Sequence, residues 1–70
     1  MKAEYRAIVK RDGDWWIGWI EEIAGVNSQG ATRDELMNNL SSALGEALEM
    51  NREFARSAAG DEFEEVTLST

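Results

Sequence analysis

Five serines (Ser28, Ser41, Ser42, Ser57 and Ser69) and four carboxylate doublets (Glu21-Glu22, Asp34-Glu35, Asp61-Glu62 and Glu64-Glu65) are the residues that could take part in chemistry. A serine nucleophile needs a base to take its proton. The chain holds no histidine and no cysteine, so neither an imidazole base near neutral pH nor a thiolate nucleophile is at hand. Of the two lysines, Lys2 lies at the terminus and Lys10 beside a turn. Neighbouring carboxylates on a strand point to opposite faces, which makes the doublets poor acid–base or metal-binding pairs. Asp12 and Asp14 flank Gly13, but no calcium-loop spacing follows. Gly13, Gly18, Gly25 and Gly30 fall in hairpin, strand and loop contexts rather than in a phosphate-binding loop. This inventory points away from an enzyme, a resident metal and a cofactor.

The elements that position these residues are legible from periodicity. Residues 3–10 alternate: Tyr5, Ala7 and Val9 share one face, Glu4, Arg6, Ile8 and Lys10 the other, as in a strand. Asp12-Gly13 is a strong hairpin signal, and the Trp- and Ile-rich run over 15–21 reads as the second strand. With Asp12-Gly13 as a type I′ turn, Val9 faces Trp16, Ala7 faces Gly18 and Tyr5 faces Ile20. On the opposite side Ile8 faces Ile17, Arg6 faces Trp19 and Lys10 faces Trp15. The Tyr5/Val9/Trp16/Ile20 face is assigned to the core, with Ala7 and Gly18 leaving a shallow place for a helix to approach. A loop follows over 22–26 with Ala24-Gly25 as its turn, then a short third strand or an extended connection over 27–30. Thr32 and Glu35 form a capping box. Leu36, Leu40, Ala43, Leu44, Ala47 and Leu48 then repeat at helical spacing, the Leu36/Leu40/Leu44/Leu48 stripe packing on the core and Gly60 stopping the helix. Alternation of Val66 and Leu68 with Glu65 and Thr67 suggests a final strand over 63–68. The expected fold is α+β: a small, antiparallel-containing β-β-β-α-β sheet with one long helix on one face.

Seventy residues allow a single domain over 1–70. A chain this short buries a smaller share of its surface than a larger one and leans on outside help. Without Cys or His for staples or zinc, self-association into a dimer or tetramer is the expected help. The net charge of −7 argues against direct contact with nucleic acid or an anionic membrane and favours a basic partner. The N-terminus shows no signal-peptide pattern, and the apolar stretch over 15–20 is too short to span a bilayer. A cytoplasmic location is expected.

Two candidate surfaces stand out. Ile8, Trp15, Ile17 and Trp19 lie on the outer sheet face. Its aromatic rings cover roughly 150–250 Å² each, a patch of the size that oligomer seams or partner sites use. Glu62, Glu64 and Glu65 form an acidic edge on the expected last strand, suited to a basic partner.

The Asp12-Gly13 hairpin, the aromatic strand Trp15-Trp16-Ile17-Gly18-Trp19-Ile20, the Ala24-Gly25-Val26 turn, the Gln29-Gly30 step and Thr32 with Asp34-Glu35 succeed one another at spacings that resemble the core domain of HicB-type antitoxins. The resemblance spans nearly the whole chain. Ala24 stands where that family usually has proline. The C-terminal DNA-binding domain of many members has no counterpart before Thr70, so direct operator binding is not expected. The resemblance implies a truncated RNase-H-like fold without its acid cluster. It also implies a partner, a small basic HicA-type mRNA interferase whose active site the antitoxin covers. The alternative is a stand-alone oligomeric module, or a small-ligand binder with a pocket at the Trp15/Trp19 seam.

Overall fold

A computed structural model describes residues 4–68. Lys2, Ala3 and Ser69 lie outside the described residues. Three antiparallel strands, β1 (Ala7–Asp12), β2 (Trp15–Ile20) and β3 (Asn27–Gly30), form a sheet in the order β1-β2-β3, and one helix, α1 (Arg33–Ala59), follows. The fold is α+β, as the periodicity predicts.

The β1–β2 hairpin differs from expectation in register. Ala7 pairs with Ile20, Ile8 with Trp19, Val9 with Gly18, Lys10 with Ile17, Arg11 with Trp16 and Asp12 with Trp15. The turn is therefore Gly13-Asp14. A type I′ turn over Asp12-Gly13 would need positive φ at both residues, whereas a type II′ turn needs it only at its first central residue. Gly13 supplies that with φ of 63°, and no non-glycine residue has positive φ among the described residues. The strands are offset by two residues from the expected pairing. Because side chains alternate with period 2, every residue keeps its face. Tyr5 leaves the expected core: it lies before β1 and is 38% exposed. The ladder runs one step past β1, where the Glu21 N–H donates to the Arg6 carbonyl (2.9 Å) and the Arg6 N–H to the Glu22 carboxylate (2.8 Å).

The loop after β2 turns through Ala24-Gly25, with Gly25 at φ 85°. It closes where the Ile20 N–H donates to the Val26 carbonyl at 3.0 Å. This tucks Val26 into the core. β3 then pairs with β2, Trp16 opposite Gly30 and Trp19 opposite Asn27. Thr32 caps α1, its hydroxyl accepting from the Glu35 N–H at 3.1 Å, and Asp34 and Glu35 sit in the first turn where the helix dipole favours negative charge.

Two glycines let the root of α1 settle on the sheet. A Cβ on Gly18 would stand 3.3 Å from the Leu36 side chain and 2.8 Å from the Ile8 carbonyl; one on Gly30 would stand 2.6 Å from the Leu36 backbone nitrogen. Leu36 and Leu40 are fully buried in this seat, and with Ile20 and Val26 they make up the buried apolar core. Ala43, Leu44 and Ala47 pack around it. The Asn39 side chain donates to the Gln29 carbonyl at 3.0 Å, fastening α1 to β3.

The strand expected over 63–68 is not formed; those residues carry no regular structure, and the described order is β-β-β-α. The helix explains why. It has 27 residues, about 40 Å at the usual rise, while β2 has six, about 20 Å. The last core-facing residue is Ala47, so α1 overhangs the sheet by roughly 18 Å. The chain turns at Gly60 (φ 84°) and runs back along the helix, far from a sheet edge. The overhang also makes the molecule long, 50 × 23 × 16 Å.

Gly30→Ala is expected to destabilise the fold by about 1–3 kcal/mol, the scale of overpacking. Gly45→Ala on the open side of the helix should be neutral or stabilising by up to about 1 kcal/mol. Chemical denaturation compares them; equal midpoints for the two variants would contradict the close seat of α1.

Candidate functional site

The outer face of the sheet is the side that α1 leaves bare. Strand alternation puts Ile8, Lys10 and Asp12 of β1, Trp15, Ile17 and Trp19 of β2, and Asn27 and Gln29 of β3 on it. Ile8 and Trp19 face one another directly across the β1–β2 ladder, and Asn27 flanks Trp19 from β3. Ile17 lies between Lys10 and Gln29, and Trp15 faces Asp12 beside the turn. Directly opposed side chains in an antiparallel pair sit about 5 Å apart at Cβ, so these four apolar residues form one continuous strip. Ile8 is 38% exposed, Trp15 50% and Trp19 42%, and Ile17 is half-buried among them. The strip presents on the order of a few hundred Å² of apolar surface, near the largest patches that monomers carry. Lys10 and Asp12 offset one another, so the face is close to neutral.

The structure thus brings Ile8, Trp15, Ile17 and Trp19 together, with Ile8 against Trp19 rather than Ile17. The pairs expected between Arg6 and Trp19 and between Lys10 and Trp15 are replaced through the two-residue slide. Trp16 faces the other way. It is half-buried, and the Arg11 guanidinium sits 5.6 Å from its ring centroid, a cation–π contact worth about 0.5–1 kcal/mol when exposed.

Glu62, Glu64 and Glu65 do not form a strand edge. They lie in the irregular segment after α1 and are exposed. Glu65 accepts from Arg56 Nε at 2.7 Å, an ion pair whose side chains are 53% and 62% exposed. That hydrogen bond first, and then the charge of the same carboxylate, raise the Arg56 pKa above its ordinary value. The tail lies against the Arg52/Ala55/Arg56/Ala59 side of the helix.

Met50 and Phe54 lie beyond the helical stripe read from the sequence, which ends at Leu48, although they continue its spacing. They are 62% and 76% exposed. Leu44 is half-buried against the core, while Leu48 is half-buried outside it. The row of residues four apart drifts round a helix by about 40° per step, so the seated line is Leu36, Leu40, Ala43, Ala47. Comparing the six-residue strands with the length of the helical pattern could have revealed the overhang. Among the described residues no group of three or more carboxylates is arranged to hold a metal ion, and no helix is long and apolar enough to cross a membrane.

Comparison with models of known families, with curated proteins and with solved structures finds no match to this chain.

Proposed function

We propose that this chain is a non-catalytic, cytoplasmic binding module of the antitoxin type: it self-assembles and neutralises a small basic mRNA interferase of the HicA type by covering its active site. The observation that carries a binding role is the outer sheet face, where Trp15 and Trp19 stand about half exposed beside Ile8. Exposed tryptophans clustered on a rigid sheet are the residues interfaces use as anchors. The antitoxin assignment, and a truncated RNase-H-like description of the fold, rest on the resemblance of the hairpin, the Gln29-Gly30 step and the Thr32 cap to that family. The net charge of −7 favours a basic partner, whose encounter complementary charge would speed.

A near-neutral apolar face is suited to a second copy, since it brings no like charges together. That observation favours self-association through Ile8, Trp15, Ile17 and Trp19, and it also supports the second reading, a stand-alone oligomeric module. Trp19→Asp should leave the fold intact by circular dichroism and shift the solution mass from dimer or tetramer to monomer in light scattering. An oligomer of unchanged mass would place the seam elsewhere.

The test of function is tagged co-expression with the product of the adjacent reading frame, which on this reading is expected to be a small basic protein. The expected result is relief of growth arrest and a stoichiometric complex that weakens as salt rises. Persistent arrest with both proteins folded and abundant would contradict the antitoxin role for that pair.

A further inference from the structure

The apolar line that seats α1 continues past the sheet. Leu36, Leu40, Ala43, Ala47, Met50 and Phe54 follow at alternating steps of four and three residues, the spacing that keeps side chains on one side of a helix. Its first two residues are 0% and 1% exposed, its last two 62% and 76%. The returning tail does not cover them. It lies on the Arg52/Ala55/Arg56/Ala59 side, roughly 150° away round the helix. A separate shallow groove runs beside Met50 and Phe54, lined by Glu53, Ser57 and Ala58.

Charge decides what can cover this line. Residues 46–70 hold seven of the fourteen acidic side chains but only two of the seven basic ones, Arg52 and Arg56. That segment therefore carries −5 of the chain's −7, and residues 1–45 carry −2. Four of these seven acids belong to the tail beyond Gly60, on the other side of the helix. Beside the apolar line itself stand Glu46 and Glu53, so a second copy laid on the same face would set these carboxylates against their own counterparts. An anionic lipid surface is repelled in the same way. A basic protein surface is attracted, and an apolar groove on it takes the exposed side chains.

We infer that the overhanging half of α1 is a docking arm for a basic protein that presents an apolar groove rimmed by Lys or Arg. Met50 and Phe54 enter the groove as anchors one helical turn apart, and Glu46 and Glu53, beside that line on the helix, face the basic rim. The inference rests on the reading that the partner is a basic protein. It assigns the partner to the helix and leaves the sheet face to self-association.

The probe is a Leu/Lys helical-hairpin peptide, whose leucines line an apolar groove between its two helices and whose lysines rim it, titrated calorimetrically into the full chain. Phe54→Glu is the decisive variant, because it makes the arm more acidic while removing an anchor. Binding of the peptide to the wild type, weakened by about tenfold or more in Phe54→Glu and likewise in Met50→Glu, and kept in Trp19→Asp, is the expected result. No binding, or binding by Phe54→Glu as tight as or tighter than wild type, would overturn the arm, the latter marking attraction by charge alone. So would loss confined to Trp19→Asp. Both helix positions are exposed, and circular dichroism verifies that the variants fold. Peptide binding through Phe54, with no complex in co-expression, overturns the toxin assignment alone. A toxin complex indifferent to Phe54 overturns the arm alone.

Discussion

Gly30 and the first turn of α1 stand closer together than any side chain would permit: a Cβ at Gly30 would lie 2.6 Å from the Leu36 nitrogen. The rest of the molecule depends on this approach. It sets Leu36 against Gly18 and Leu40 against Ile20 and Val26, and the four apolar side chains are the buried core among the described residues. It also fixes where the helix starts and along which line it lies. Every residue beyond Ala47 is then carried off the sheet, because the strands are short and the helical pattern is long. The elongated shape, the missing fourth strand and the exposed Met50 and Phe54 all follow from one seated helix root.

The consequence is a chain with two unlike surfaces. The outer sheet face is rigid, apolar and nearly neutral. The arm is an amphipathic helix, near neutral over residues 48–59, with Glu46 and Glu53 beside its apolar line and an acidic tail along its back. A specific interface usually covers about 800 Å² per partner, more than the strip of Ile8, Trp15, Ile17 and Trp19 offers. A durable complex therefore draws on both surfaces or recruits neighbours of each. The sheet for a second copy and the arm, through its flanking carboxylates, for a basic partner is the division proposed above.

Much of this was legible in the sequence. Alternation and the Asp-Gly signal located the hairpin, and the period of two placed Ile8, Trp15, Ile17 and Trp19 on the outer face even though the register was wrong by two residues. Thr32 and Gly60 marked the ends of α1 correctly, because caps act locally. What the sequence concealed depended on distance rather than pattern. Whether Asp12-Gly13 or Gly13-Asp14 forms the turn is decided by which residue must take positive φ. Whether Val66 and Leu68 join the sheet is decided by how far α1 carries them from it. Their alternation was real, but the tail meets Arg56 before it meets a strand. Met50 and Phe54 carry the same periodic signal as Leu36 and Leu40, and only the size of the sheet distinguishes buried from bare.

The central claim is that the root of α1 belongs to the core and its far half does not. Amide hydrogen exchange on the free chain, resolved along the helix, tests it most directly. Protection should be greatest near Leu36 and Leu40 and in β2, then decline steadily beyond Ala47 to Ala59, since opening costs less where few apolar contacts hold the backbone. Uniform protection along the whole helix would mean that the far half is already packed against something, and would contradict it.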